Sequence, residues 1–145
     1  MFFKYSIRYI LIILFSKLHK FLYNLSGGRF MYSLVGLPVI FLTTTGRISN
    51  KPRTTPLIYM KDKDDFICVA SFGGYKKHPD WYLNIKKNNQ LSINVKGKNF
   101  DAISNTIVGK EKTDMWQRII QFYPGFQKYQ ERTSREIQIV RISII

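Results

Sequence analysis

Leu37-Pro-Val-Ile-Phe-Leu-Thr-Thr-Thr45 runs into Gly46-Arg-Ile-Ser-Asn-Lys-Pro-Arg53 and then Thr54-Thr-Pro-Leu-Ile-Tyr-Met-Lys61, and these three pieces decide the fold. The first is rich in β-branched and aromatic residues, opens near a proline and closes at a glycine, as a strand does. The second is a polar turn and the third a returning strand. The pattern continues downstream. Asp62-Lys-Asp-Asp65 turns, and residues 66–71 form a third, mostly apolar strand before Gly73-Gly74 breaks it. Residues 91–95 alternate, Lys96-Gly-Lys-Asn99 turns, and residues 100–108 return as the hairpin partner. Residues 136–145 read as a last strand. Between these runs, His78-Pro79-Asp80 opens a helix, with proline in the first turn and a carboxylate at the positive end; Asn88-Asn89 stops it. Residues 110–123 form an amphipathic helix. Six strands joined mostly by short turns, with three helices interspersed, predict an α+β protein built on an antiparallel barrel with helical cover. The connections do not resemble βαβ crossovers, which argues against a dinucleotide-binding parallel sheet.

The 145 residues suit one domain. At 45% hydrophobic and 22% charged residues the balance is that of a globular chain rather than a disordered one. A single cysteine, Cys68, excludes an internal disulfide and a cysteine-based zinc cluster. That usage fits a reducing compartment, so a cytoplasmic location is expected. The net charge is +14 and unevenly spread: up to Lys61 there are nine basic residues and no acidic one. Such a field attracts polyanions, whether nucleic acid, an anionic lipid surface or a phosphorylated cofactor.

Residues 1–25 read as one helix. Lys4, Arg8, Ser16, Lys20 and Asn24 share a face, and Ile7, Ile10, Leu11, Leu14, Leu18, Phe21, Leu22 and Leu25 lie largely on the other. The unbroken apolar run, residues 9–15, is shorter than the roughly 20 residues a bilayer span needs, and no small-residue cleavage site follows it. Two readings are open: a basic amphipathic helix on an anionic membrane face, or a helix packing its apolar side on the core. Ser26-Gly27-Gly28 ends the helix and gives a hinge. The expected division is residues 1–29 as this helix and residues 30–145 as the barrel domain.

The chemistry is sparse in ordinary motifs. There is no GxGxxG or GxxxxGK, and His19 and His78 have no second ligand at metal spacing, so no metal site is expected. Cys68 lies mid-strand among apolar residues, as a core residue does. What remains is a phosphate-friendly turn in which Arg47, Lys51 and Arg53 stand between Thr43–Thr45 and Thr54-Thr55. Ser71 with Gly73-Gly74 would let backbone approach a ligand, and Lys76-Lys77 follow. An aromatic group, Trp81-Tyr82 and Phe122-Tyr-Pro-Gly-Phe126 with Tyr129, could line a slot for a flat heterocycle. The alternative is two solvated basic turns and ordinary core aromatics. Nucleic-acid binding is the weaker use of the charge, because no RNP-like or helix-turn-helix pattern is present.

Together these blocks resemble the deazaflavin-dependent nitroreductases, also described as F420H2-dependent quinone reductases. The resemblance spans about residues 37–140. It rests on Leu42-Thr-Thr-Thr-Gly-Arg47, Lys51-Pro-Arg-Thr-Thr-Pro56, Ala70-Ser-Phe-Gly-Gly74, Lys77-His-Pro-Asp-Trp-Tyr-Leu-Asn84, Tyr123-Pro-Gly-Phe126 and Tyr129-Gln-Glu-Arg-Thr-Ser-Arg-Glu-Ile137. It implies a split β-barrel related to pyridoxamine-phosphate-oxidase-like proteins and a hydride transfer from coenzyme F420 to a quinone-like or nitroaromatic acceptor. It further implies cofactor contacts at Arg47, Ser49, Lys51, Arg53, Thr54, Thr55, Pro56, Ser71, Gly73, Gly74 and Trp81. By charge rather than by motif, Lys76 and Lys77 would meet the anionic oligoglutamate tail, whereas Tyr123 and Tyr129 match catalytic tyrosines of the acceptor pocket.

Departures from the family pattern are Ile48 in place of a basic residue, Asn50 in place of glycine, and Phe126 and Ile58 where some members carry tyrosine. Asparagine tolerates the left-handed conformation, so the turn survives at Asn50, while the acceptor pocket becomes more apolar. FMN in place of F420, and a non-enzymatic carrier of cofactor, lipid or haem, are the competing readings on the same fold. A monomer and a homodimer are both compatible with the sequence.

Overall fold

The computed structural model describes residues 2–25, 33–34 and 36–145; the expected hinge at Ser26-Gly27-Gly28 lies outside them. In chain order the elements are α1 (Phe2–Leu25), β1 (Ser33–Leu34), β2 (Leu37–Thr45), β3 (Pro52–Asp62), β4 (Asp65–Val69), a 3₁₀ turn (Phe72–Gly74), α2 (Asp80–Lys87), β5 (Gln90–Val95), β6 (Lys98–Ile107), α3 (Gly109–Phe122), α4 (Gly125–Glu131) and β7 (Ile139–Ile144). All strand pairs are antiparallel, in the order β1-β2-β3-β4-β7-β6-β5, and β5 pairs back onto β2. The six longer strands therefore close into the expected barrel.

Closure follows from two-sided strands. Along β4, Phe66 and Cys68 point into one apolar cluster while Ile67 and Val69 point into another. β7 does the same with Val140 and Ile142 against Ile139. The first cluster fills the barrel with Ile40, Leu42, Tyr59, Ile93 and Ala102, and Trp81, Tyr82 and Ile85 of α2 close it. The second lies under α3 and α4, with Ile107, Met115, Ile119, Phe126 and Ile137. Cys68 is fully buried, and burial pushes its thiol up to about 12, as befits a core residue rather than a nucleophile. The β5–β6 hairpin turns at Lys96 and Gly97, both left-handed at φ 50° and 84°.

Four differences from the sequence reading are local. β3 begins at Pro52 rather than Thr54, because proline is tolerated as the first residue of a strand. β7 is shorter than residues 136–145; the segment before it spends its backbone groups elsewhere, the Gln138 carbonyl accepting from the Ala70 amide and the Ile137 amide donating to Gln130 Oε1. Two elements were not expected at all. β1 has only two residues, and α4 hides behind Pro124-Gly125, which resembles a break. Proline suits a helix start, and Gly125 lies where a Cβ would overlap the Tyr123 ring.

α1 forms as expected, and of the two readings left open for its apolar stripe the structure does not show the one in which the stripe packs on the core. Ser16 and Lys20 of the polar face are half-buried and His19 is 1% exposed, its ring edge-on to Phe41 of β2 at 5.6 Å. Ile7, Ile10, Leu11, Leu14, Leu18, Phe21, Leu22 and Leu25 are all exposed. Core packing of that apolar stripe is thus ruled out. The side chains of Lys4 and Arg8 lie outside the described residues. No described helix is long and apolar enough to cross a membrane.

Candidate active site

The β2–β3 turn is closed by the Gly46 amide on the Lys51 carbonyl (2.8 Å) and the Asn50 amide on the Gly46 carbonyl (2.9 Å). Asn50 takes φ 56°, the left-handed state expected of it where the family has glycine. A Cβ on Gly46 would fall 2.6 Å from Ser49 Oγ and 3.2 Å from the Lys51 carbonyl oxygen, so the turn would have to give. The turn is held from outside by Asn84 of α2, which is 3% exposed. Its amide Nδ2 donates to Thr44 Oγ1 (3.0 Å), and its Oδ1 accepts from the Arg47 amide (3.0 Å) and Nη1 (3.3 Å). Lys87 Nζ donates to the Arg47 carbonyl at 2.8 Å. Neither Asn84 nor Lys87 stood among the sequence-derived site residues; Asn84 ends a motif block, but nothing in the pattern shows that it bolts that block to the turn.

The cations of the turn divide into two kinds. Arg47 Nη1 makes an ion pair with Asp80 Oδ1 at 3.0 Å, so this guanidinium is partly committed within the protein. Arg53 and Lys51 are exposed and, among the described residues, have no carboxylate partner; Arg53 Nη2 donates only to Ser49 Oγ at 3.3 Å. The threonines are also partly engaged, Thr43 Oγ1 lying 2.8 Å from Thr54 Oγ1 across the β2–β3 register. Thr55 and Pro56 are half-buried on β3. A cationic turn with two uncompensated side chains fits a phosphate monoester or diester.

The second block is a loop in which Phe72, Gly73 and Gly74 are consecutively left-handed, at φ 48°, 62° and 79°. Both glycines sit in left-handed backbone, and Gly74 is also needed sterically. A Cβ on Gly74 would lie 2.5 Å from the Tyr129 carbonyl oxygen, and one on Gly73 would lie 2.9 Å from Ile12 Cδ1 of α1. Ser71 is 8% exposed, whereas Lys76 and Lys77 are exposed just beyond the loop. Trp81 differs from the expected ring-side position: it is 5% exposed and packs inside the barrel, edge-on to Tyr82.

Tyr123 and Tyr129 do come together. Their ring centroids are 6.5 Å apart, and Phe126 sits 5.1 Å from the first and 6.0 Å from the second. Ile58 and Met60 of β3 pack on the same cluster, so the two positions that lack tyrosine, Ile58 and Phe126, do make this patch apolar. Burial first, then the hydrogen bond with Tyr123, pushes the Tyr129 hydroxyl up to about 12. It therefore stays protonated at neutral pH and remains a proton donor. The Arg132 guanidinium lies 5.3 Å from the Tyr129 ring.

The segment from His78 to Asn84 joins these parts: Asp80 and Asn84 reach the β2–β3 turn, and His78 Nδ1 lies 3.4 Å from Arg135 Nη1 beside the glycine loop. A recess of about 540 Å³ lies elsewhere, around Asp62, Glu111, Arg118 and Arg141. Its charges neutralise one another, Arg141 alone pairing with Asp62, Asp65 and Glu111. It contains neither the free cations nor the tyrosines, and we assign it to structure.

The closed six-stranded antiparallel barrel is the split-barrel fold, which solved proteins of quite different description share. A putative pyridoxamine 5′-phosphate oxidase from Listeria innocua shares this fold at 9% identity and TM-score 0.51, over 73% of this chain and 82% of that one. Within that fold, residues 15–143 match the F420H(2)-dependent quinone reductase family, and the chain belongs to it. The match reaches into α1, further than the motif blocks between residues 37 and 140. An F420H(2)-dependent quinone reductase of Mycobacterium tuberculosis (strain ATCC 25618 / H37Rv) is 35% identical over 128 residues, 86% of each chain. The solved F420-H2 dependent reductase FDR-A is 34% identical with TM-score 0.66, over 73% of this chain and 94% of that one. A solved domain-swapped dimer is 31% identical with TM-score 0.68, over 81% and 89%.

Proposed function

We propose that this chain carries hydride from reduced coenzyme F420 to a quinone-like acceptor, with nitroaromatics as further acceptors. F420 is the cofactor of its family, and when bound it supplies the hydride. Arg53 and Lys51, the turn cations without a carboxylate partner, carry the reading: they hold the cofactor phosphate, with Ser49, Thr54, Thr55 and Pro56 around it. Arg47 shapes the turn through Asp80 and Asn84 and offers its remaining donors. Ser71, Gly73 and Gly74 lie along the cofactor, Lys76 and Lys77 meet its oligoglutamate tail, and Trp81 supports the site from within the barrel. Tyr129, protonated at neutral pH, and Tyr123 orient the acceptor and donate a proton to it.

The exposed stripe of α1 then lies on an anionic membrane surface, where a lipid-soluble acceptor is found. No acidic residue occurs before Asp62, so charge and apolar face act together. In this reading residues 1–29 are the membrane-facing helix, residues 30–145 the catalytic barrel, and the enzyme is cytoplasmic and peripheral.

The test is anaerobic mixing with reduced F420 and a menaquinone analogue. The visible absorbance of the oxidised cofactor should return only with protein present, and more slowly for Tyr123→Phe; no return with any quinone or nitroaromatic rejects the activity. Retention on vesicles containing anionic lipid, lost in a Leu14→Glu, Leu18→Glu double variant, tests the membrane. Equal retention of both proteins rejects it.

A further inference from the structure

The glycine loop is held chiefly by a side chain to which the reaction gives no role. Arg135 follows α4, and its guanidinium is half-buried. Nε donates to the Tyr75 carbonyl (2.8 Å), Nη1 to the Ala70 carbonyl (3.1 Å) and Nη2 to the Ser71 carbonyl (2.8 Å). Nη1 also faces His78 Nδ1 at 3.4 Å. His78 is held below the ordinary histidine range, first by burial and then by the positive charges of Arg135, Lys86 and Lys112, so its imidazole is neutral at pH 7. One planar fork thus gathers three carbonyls from both ends of a loop whose middle has three left-handed residues. Such a backbone persists only where its surroundings over-determine it.

Arg135 is itself fixed. Gln130 Nε2 donates to its carbonyl at 2.8 Å, and Gln130 Oε1 accepts from the Ile137 amide. On the same side, Arg132 Nη1 donates to the Gly73 carbonyl at 3.4 Å, and the Tyr129 carbonyl abuts Gly74. The loop carrying the cofactor-side residues is therefore clamped to the segment carrying the acceptor-side tyrosine.

We propose that Arg135 is a positioning residue for hydride transfer: it sets the shape of the loop at residues 70–75 against which F420 lies and fixes that loop relative to Tyr129. The proposal rests on the reading of Ser71, Gly73 and Gly74 as cofactor contacts. Lysine cannot replace the fork, because an ammonium is a point charge without planar, divergent donors.

The experiment titrates oxidised F420 by fluorescence into wild type, Arg135→Lys, Arg135→Ala and Arg141→Lys, each first checked for a native melting transition. Arg141→Lys is the matched control, an arginine in a dense ion-pair network that touches none of the loop. Both Arg135 variants should bind about tenfold or more weakly, the loss expected where a multidentate contact fails, while Arg141→Lys binds as wild type. Millimolar methylguanidinium should restore part of the affinity and turnover of Arg135→Ala alone, a recovery that a general loss of stability would not show. Arg135→Ala binding within twofold of wild type overturns the proposal. So does a loss shared with Arg141→Lys and untouched by methylguanidinium. A wild-type chain that does not bind F420 overturns the cofactor reading first and the proposal with it.

Discussion

Replacing Arg53 and Arg47 separately by alanine splits binding from stability. Arg53 is exposed and has one hydrogen bond, to Ser49 Oγ at 3.3 Å. Its loss should cost at most about 0.5 kcal/mol of stability, as for most surface substitutions. If its guanidinium grips the cofactor phosphate, removal forfeits a charge-assisted hydrogen bond worth about 1.5–3 kcal/mol. That corresponds to a dissociation constant about 10- to 150-fold higher. Arg47 behaves differently. It is tied to Asp80 and Asn84, and an ion pair with one largely exposed partner is worth about 1 kcal/mol at most. Arg47→Ala should therefore lower the melting temperature by about 2–4 °C and weaken binding less than Arg53→Ala. F420 fluorescence titrations at low and moderate salt, with thermal melts of the same samples, measure both axes. Arg53→Ala binding within twofold of wild type would place the phosphate elsewhere and refute the reasoning.

Three further outcomes follow from the geometry. Asn84→Ala leaves the Thr44 hydroxyl and the Arg47 amide without their buried partner; it should cost about 2–4 kcal/mol by urea unfolding, and a cost under about 0.5 kcal/mol would show that the turn stands without it. Gly74→Ala combines a left-handed φ of 79° with a Cβ 2.5 Å from the Tyr129 carbonyl oxygen. It should lose more than about 2 kcal/mol, whereas a neutral result would mean that α4 yields freely. Tyr129 and Cys68 are both pushed up to about 12 from ordinary values of 10.0 and 9.0. The unfolded chain therefore releases these protons at lower pH than the folded one, and their contribution to stability, complete below about pH 9, drains away as pH rises towards 12. Urea midpoints should fall less steeply over that range in Tyr129→Phe than in wild type; parallel curves would contradict the assignment for Tyr129.

The barrel was legible because its strands announce themselves twice, in β-branched runs and in turn residues such as Lys96-Gly97. The site was legible as blocks but not as geometry. Arg47 and Arg53 look equivalent in the sequence, and only the fold shows that Asp80, distant along the chain, occupies one and leaves the other. Trp81 reads as a cofactor-facing aromatic, but on a helix that closes the barrel the ring turns inward. α4 was missed because Pro124-Gly125 is ordinarily a stop, and the steric need of the Tyr123 ring is a three-dimensional fact. The facing of α1 was not legible for a related reason: it is set by contacts such as His19 on Phe41 and Ile12 beside Gly73, and isolated histidines carry no periodic signal. Arg135 could be suspected only from its setting in Tyr129-Gln-Glu-Arg-Thr-Ser-Arg-Glu-Ile137, where nothing separates it from any other basic residue.

β2 is bonded along both of its edges, to β3 on one side and β5 on the other. Amides of residues 40–43 should be among the last in the chain to exchange with solvent. The turn that leaves this strand, shortened by Gly46 and bolted by Asn84, starts from the stillest part of the backbone. On the reading that this turn takes the cofactor phosphate, its backbone is already set when the ligand arrives, so little chain freedom is lost on capture and discrimination rests on the shape of the ligand's charged end.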